Sequence, residues 1–164
     1  RAGRTAFIIT LARVLSETRA AHVAIVDAHF QHPGVARALA IQTECGLEAV
    51  LRDGECDPQA AVWNLNDHVT IVPLGEQVPA ENKVAVRLQS VLRTLKHEFD
   101  LVLVDAGPWD EAAPPRALEC RAVDAFVSIV RTAEVTANHV SAEDIAHTGM
   151  RWLGQSDTFV PAAN

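Results

Sequence analysis

The sequence predicts an α/β domain built on a doubly wound, mostly parallel sheet with helices on both faces. Two short apolar runs, residues 23–27 and 101–105, each end in an aspartate. Runs of this length and composition are typical of parallel strands that are buried on both faces. Predicted strands alternate with predicted helices along the chain, which favours right-handed crossovers between parallel strands. At 164 residues, the chain is expected to form a single domain over 1–164.

The first element is predicted to be a helix over 5–18, because its apolar residues recur at helical spacing, namely Phe7, Leu11, Val14 and Leu15. Residues 6–10 include Phe-Ile-Ile, which is rich in strand-forming side chains, so a strand there is the competing interpretation. One strand and two short helices are predicted next, over 23–27, 35–40 and 46–51. Pro33 and Gly34 force the turn before the first of these short helices.

In the middle of the chain, a helix is predicted to begin at Asp57, with a proline in its first turn. A strand is predicted to follow over 68–74. The longest helix is predicted over 83–99, where one apolar stripe is formed by Val84, Leu88, Val91, Leu92 and Leu95. After the strand over 101–105, a proline-rich loop over 107–115 leads to a short helix. The last elements are predicted to be a strand, a helix and a strand, over 125–130, 134–152 and 158–160.

Composition and charge exclude several classes of protein. There are 14 basic and 21 acidic residues, and a net charge of −7 argues against a nucleic-acid partner, since phosphate backbones require a basic footprint. No apolar run approaches the roughly 18 residues of a membrane helix, and no signal peptide is recognisable, which predicts a cytoplasmic protein. The three cysteines are odd in number and lack CxxC spacing, which predicts free thiols in a reducing compartment.

Two carboxylates are predicted to lie together at one edge of the sheet. In open α/β sheets the ligand site lies beyond the carboxyl ends of the strands, which is where Asp27 and Asp105 stand. Carboxylates at that edge suit a magnesium–nucleotide site, although Asp105 could instead cap a strand end beside a tight turn. His29 and His32 are spaced like metal ligands, but no further ligand supports them, so solvated loop histidines are the favoured interpretation.

Five short motifs follow one another along the chain. They are Gly3-Arg4-Thr5, Asp27-Ala28-His29-Phe30-Gln31, Gly46-Leu47-Glu48-Ala49-Val50-Leu51, Val72-Pro73-Leu74-Gly75 and Asp105-Ala106-Gly107-Pro108. In this order and spacing they resemble the motifs of the MinD/ParA-type P-loop ATPases, and most closely those of the bacterial tyrosine kinases of capsular exopolysaccharide synthesis. The first three-residue motif corresponds to the end of the P-loop, and the last fits the Asp-x-x-Pro strand end of that group in full.

The resemblance implies that ATP and Mg²⁺ are the cofactors. It makes Gly3, Arg4 and Thr5 candidate nucleotide-binding residues, Thr5 and Asp105 candidate Mg²⁺ ligands, and Asp27 the candidate catalytic residue. Thr5 also has a plain structural interpretation as a residue at a helix N-terminus. The strand that leads into a P-loop would precede Arg1 and is absent from this sequence. The partners implied are a membrane polysaccharide co-polymerase, which would bring the domain to a membrane, and further copies of the chain in a homo-oligomer.

Three departures from the family pattern lie at the positions closest to the chemistry. Arg4 replaces the P-loop lysine, and a forked guanidinium cannot simply adopt the geometry of a compact ammonium. His29 replaces an aspartate and Gln31 replaces an arginine, so charge that phosphoryl transfer uses is lost. The chain also contains no tyrosine, which excludes tyrosine autophosphorylation within it.

The sequence therefore predicts an ATP-binding regulatory domain of the exopolysaccharide tyrosine-kinase type whose catalysis is weak or lost. The alternative is an interaction or scaffold domain that keeps the fold and binds no nucleotide. A MinD/ParA-like positioning ATPase is the third hypothesis, and the absence of a basic run or a C-terminal amphipathic helix weighs against it.

Overall fold

A computed structural model of the chain describes residues 3–42, 45–52, 61–75, 82–109, 116–119, 121–131 and 149–158. Helices and strands alternate along most of this length. In chain order they are α1 (Arg4–Arg19), β1 (Val23–Asp27), α2 (Val35–Ala38), α3 (Leu47–Arg52), β2 (Trp63–Asn64), β3 (Val69–Val72), α4 (Asn82–Glu98), β4 (Leu101–Asp105), α5 (Arg116–Glu119), β5 (Ala125–Arg131) and β6 (Arg151–Thr158).

The strands form a four-stranded sheet in the order β2-β3-β1-β4 and a separate pair, β5-β6. β1 is parallel to both of its neighbours, so that Val23 lies opposite Val69 of β3 and Leu101 of β4. β2 is a two-residue antiparallel edge strand on β3, and β5 and β6 are parallel. The predicted α/β fold with a mostly parallel sheet is confirmed, while the separation into two sheets is not predicted by the sequence.

Helices cover both faces of the larger sheet, and the alternation of side chains along β1 shows how. Val23 and Ile25 point to one face and pack with α1 and α2. Val26 points to the other face, in a cluster that contains Leu88 and Leu92 of α4 together with residues of α3 and α5. All five residues of β1 are buried, as expected for a strand covered on both sides. The doubly wound arrangement is therefore confirmed.

Most predicted elements are present with small shifts at their ends. The helix predicted over 5–18 is α1, so the strand interpretation of 6–10 is wrong. Ile8 and Ile9 lie on that helix and pack, partly buried, against the sheet, which explains the run of strand-forming residues in a helical segment. The short helices predicted over 35–40 and 46–51 are α2 and α3. The strands β1 and β4 have the predicted bounds.

The predictions for the end of the chain are partly wrong. The sequence predicts that Arg151 and Trp152 end a helix over 134–152, but they begin β6. Of the strand predicted over 158–160, only Thr158 is described, and it is the last residue of β6. The cause is the parallel pairing of β6 with β5, which is interrupted only by a bulge at Leu153 and which local periodicity does not reveal. Three predictions lie wholly or mainly outside the described residues: the helix beginning at Asp57, the loop over 107–115 and the greater part of the 134–152 helix.

Two expectations drawn from composition can also be compared with the structure. None of the described helices has the length and hydropathy that a membrane-spanning helix requires. Cys45 is disulfide-bonded. The prediction that all the cysteines are free thiols is therefore wrong, because spacing along the chain does not report which cysteines are neighbours in space.

Candidate functional site

Asp27 and Asp105 lie side by side at the carboxyl edge of the larger sheet. They are the last residues of β1 and β4 and occupy the same position in the parallel register. The backbone N–H of Ala28 donates to the carbonyl of Asp105 at 3.0 Å, which continues the pairing by one residue. Both side chains are almost fully buried, with 0% of Asp27 and 2% of Asp105 exposed. The predicted placement of the two aspartates at one edge is confirmed.

Asp105 contacts the first turn of α1. The Thr5 hydroxyl donates to Asp105 Oδ2 at 2.7 Å, and the backbone N–H of Gly107 donates to Asp105 Oδ1 at 3.3 Å. Gly3 caps α1 in a left-handed conformation, with φ 71° and ψ 10°, which glycine adopts without a steric cost. A hydroxyl and a carboxylate are thus held together, and hard oxygen ligands of this kind are those that Mg²⁺ prefers.

Asp27 organises the loop that follows β1. Its Oδ1 accepts a hydrogen bond from the His29 N–H at 3.2 Å, and its Oδ2 accepts from the N–H groups of Gly34 at 2.8 Å and Val35 at 2.9 Å. A carboxylate has about four acceptor positions, so the backbone occupies most of them. In this structure Asp27 anchors the loop and the start of α2. Its catalytic role remains a prediction.

Burial raises the pKa of Asp27 from 3.8 to about 6, and the nearby charge of Asp105 acts in the same direction. The three backbone N–H groups that bind the carboxylate oppose this rise, because they stabilise the ionised form. Asp27 is therefore mostly ionised at neutral pH and gains a proton in mildly acidic solution. A bound cation at this edge would favour the ionised form.

The raised pKa of Asp27 predicts a measurable dependence of stability on pH. Between pH 3.8 and about 6 the folded protein retains a proton that the unfolded chain has released, so this group stabilises the fold less as the pH rises through that window. From pH 7 to pH 5 the wild type should gain about 1 kcal/mol of unfolding free energy relative to Asp27→Asn, which cannot titrate. Urea denaturation of both proteins at the two pH values measures this difference, and an equal response of the two would contradict the assignment.

The loops around the two aspartates approach each other closely. A Cβ atom on Gly34 would lie 3.1 Å from Thr5 Oγ1. Gly107 has a φ of +83°, and a Cβ there would lie 2.5 Å from His29 Cδ2. His29 is half-buried against this glycine and its ring meets that of His32 edge to face at 5.7 Å. The prediction of a solvated loop histidine is thus wrong for His29, while His32 is exposed.

Arg4 is the functional candidate whose surroundings the sequence does not reveal. Within the described part of the chain, its Nε is buried and has no hydrogen-bond partner. Buried donors are nearly always satisfied, so an unsatisfied guanidinium nitrogen in the first turn of a helix marks a place where an anion could bind. The described residues contain no cluster of three or more His, Cys, Asp or Glu side chains that could hold a metal ion by themselves.

Solved structures share this arrangement of strands and helices. The septum site-determining protein MinD from Pyrococcus horikoshii, complexed with Mg-ADP, matches 94% of the chain with a TM-score of 0.73 and 19% identity. The kinase domain of the Escherichia coli tyrosine kinase ETK matches 100% of the chain with a TM-score of 0.78 and 19% identity. The chain has the fold of the MinD/ParA-type P-loop ATPases. Since the sequences differ so widely, these matches establish the fold and leave the activity open.

The lengths of the matched proteins, and the remaining comparisons, define how far this similarity reaches. The chain spans 64% of the MinD structure and 66% of the ETK domain, so it corresponds to just under two thirds of either. Cobyrinic acid a,c-diamide synthase from Mycobacterium smegmatis, with a bound ATP analogue and magnesium, also shares the fold of the chain. The TM-score is 0.69 at 16% identity, over 96% of the chain and 70% of the synthase. No protein-family model and no curated protein sequence matches the chain.

Proposed function

We propose that the chain is a regulatory domain that binds Mg-ATP at the carboxyl edge of its sheet and turns it over slowly or not at all. The contact between Thr5 and Asp105 is the observation that supports this proposal best. It joins residues 100 positions apart in the sequence and places a hydroxyl and a carboxylate within 2.7 Å of each other. Structures of the same fold have been solved with Mg-ADP and with an ATP analogue and magnesium.

The residues at this edge suit both parts of the ligand. The Thr5 hydroxyl and the Asp105 carboxylate would hold Mg²⁺, which shields the phosphate charge when it is bound. The first backbone N–H groups of α1 have no partner within the helix and would face the phosphates. α1 has no acidic residue in its first turn and no side chain that caps it, so nothing of its own competes for these donors. The unsatisfied Nε of Arg4 would add a further donor for a phosphate oxygen.

We propose weak catalysis because the side chains that could act on a phosphate either hold other parts of the protein or carry no charge. Asp27 is bound by three backbone N–H groups, and His29 packs on Gly107. Gln31, at the place where the family motif has an arginine, is exposed and carries no charge. Such a domain would act as a nucleotide-dependent switch. By resemblance to the tyrosine-kinase domains, its proposed partners are a membrane polysaccharide co-polymerase and further copies of itself.

The proposal predicts that Mg-ATP stabilises the protein through Thr5. At 100 times the dissociation constant, Mg-ATP should raise the unfolding free energy of the wild type by about 2.7 kcal/mol. Thr5→Val keeps the shape and removes the hydroxyl, and should weaken Mg²⁺-dependent binding by about tenfold or more, the equivalent of one hydrogen bond to a charged group. Thr5→Ser should retain binding. Thermal denaturation with ATP in Mg²⁺ or in EDTA measures the effect, and hydrolysis in the same samples should stay below about 1 s⁻¹.

Thr18 provides a matched control, because its hydroxyl is exposed on α1 and bonds only to the Val14 carbonyl among the hydrogen bonds described. Thr18→Val should leave Mg-ATP binding unchanged. If the wild type gains no stability from Mg-ATP, the nucleotide-binding proposal is wrong and the scaffold alternative is favoured. Equal binding by wild type and Thr5→Val would remove Thr5 from the site.

A further inference from the structure

Two histidines lie side by side at the amino edge of the larger sheet, opposite the edge that carries the two aspartates. His22 directly precedes β1 and His68 directly precedes β3, and the residues that follow them, Val23 and Val69, are partners in the parallel register. The Val23 N–H donates to the His68 carbonyl at 2.8 Å, so the pairing of the two strands begins at this histidine. The two rings meet edge to face, with centroids 5.1 Å apart and an angle of 64° between their planes.

The side chains of both histidines are available to a ligand. Within the described residues, the hydrogen bonds of His22 and His68 are made by their backbone groups and none by a ring nitrogen. Nδ1 of His68 is buried without a hydrogen-bond partner, which is rare for a polar atom away from water. A metal ion would satisfy such a nitrogen, since imidazole binds metals through Nδ1 or Nε2. His22 is exposed, so an ion can reach the pair from solvent.

The distance between the rings is that of two imidazoles bound to one metal ion. Zinc–nitrogen bonds are about 2.0–2.1 Å long and the coordination is tetrahedral. Because each ring centre lies slightly beyond its nitrogen, two imidazoles on one such ion have centroids about 5 Å apart. The centroids of His22 and His68 are 5.1 Å apart, so a shared ion requires no movement of either strand.

Neighbouring side chains hold the backbone of both histidines in place. Asp100 Oδ2 accepts a hydrogen bond from the His22 N–H at 2.9 Å, and Asn66 Oδ1 accepts one from the His68 N–H at 2.9 Å. Ligands that are fixed before binding lose little conformational entropy when the ion arrives. Asp100 and Asp67, the residue before His68, are exposed and bring negative charge to this edge, which favours a cation.

We propose that His22 and His68 form a binding site for a divalent transition-metal ion of the zinc, nickel or copper class. Imidazole is a preferred ligand of these ions, whereas Mg²⁺ prefers oxygen ligands. No third side chain of the described residues completes a metal cluster here, so water supplies the remaining ligands. The ion joins the start of β1 to the start of β3 and stabilises the folded chain, because the two rings are brought together only when these strands pair.

Calorimetric titration with ZnCl₂, in the absence of nucleotide and Mg²⁺, tests the site. His22→Asn and His68→Asn should each weaken Zn²⁺ binding by at least about tenfold, because the loss of a group that only orients a metal ligand already costs about 10–100-fold. The matched control comes from the histidine pair at the opposite edge of the sheet, His29 and His32, whose ring centroids are 5.7 Å apart. His32→Asn should bind Zn²⁺ as the wild type does.

Amide NMR spectra of the wild type locate the ion without any substitution, and therefore decide the matter even if a change at the half-buried His68 disturbs the fold. Zn²⁺ should shift the signals of residues 22–24 and 68–70 and leave those of residues 29–35 unchanged.

Three outcomes would overturn the proposal. A wild type that binds no Zn²⁺ at concentrations up to about 1 mM has no such site. Equal binding by the wild type, His22→Asn and His68→Asn would place the ion on other groups of the chain. An equal loss of binding in His32→Asn, with shifts at residues 29–35, would assign it to the opposite edge. Because nucleotide and Mg²⁺ are absent throughout, a failure of ATP binding would not affect any of these results.

Discussion

Replacing Asp27 by alanine is expected to lower the free energy of unfolding by about 4 kcal/mol, since each orphaned buried donor costs about 1–3 kcal/mol. Three backbone N–H groups, those of His29, Gly34 and Val35, lose their acceptor in this variant. The relief of the buried charge offsets part of the loss, because the raised pKa shows that the carboxylate is ionised at a cost. Urea denaturation at pH 7 measures the change.

Asp100 is the matched control for this substitution. It follows α4 at the opposite end of β4, is exposed, and accepts one backbone hydrogen bond, from the His22 N–H at 2.9 Å. Asp100→Ala should cost less than about 1 kcal/mol, because water can replace the carboxylate. If Asp27→Ala costs no more than Asp100→Ala, the loop after β1 does not depend on Asp27 in the way that the hydrogen bonds indicate.

The fold is largely predictable from the sequence because the buried strands consist of short runs of apolar residues. β1 and β4 are short, apolar and closed by aspartate, and each ends where the run ends. β2 is not predictable, since its two residues are exposed and form a strand only because they pair with β3. β6 is missed for the same reason, because its pairing with β5 is a contact between distant parts of the chain.

The site is predictable to the extent that it follows from the sheet. Parallel strands that end together bring Asp27 and Asp105 together, so their proximity needs no knowledge of the loops. The contacts of Asp27 with the backbone at the start of α2, and the burial of the Arg4 Nε, depend on how the loops fold back. Sequence spacing contains no signal for such contacts. The one usable hint is the Pro33-Gly34 pair, which places a tight turn within reach of Asp27.

Gly107 lies where the loops after β1 and β4 meet, and it leads to the second large expected effect. Gly107→Ala should lower the free energy of unfolding by about 3 kcal/mol, from the left-handed backbone and from overpacking. The φ of +83° disfavours any side chain, and the new Cβ would lie 2.5 Å from His29 Cδ2. Because the clash displaces the loop that follows Asp105, the Mg²⁺-dependent binding of ATP should weaken in parallel. Denaturation and ATP titration of the same variant measure both.

Two further variants separate the backbone contribution from the clash. Gly149 also has a positive φ, +68°, but a Cβ there would meet no atom of the described residues within 4 Å, so Gly149→Ala should cost only about 1–2 kcal/mol. Gly107→Ala in a His29→Ala background should cost about the same, since removing the ring leaves only the backbone strain. If Gly107→Ala is equally costly with and without the His29 ring, the two loops are not in the contact described, and the close packing around Asp105 must have another cause.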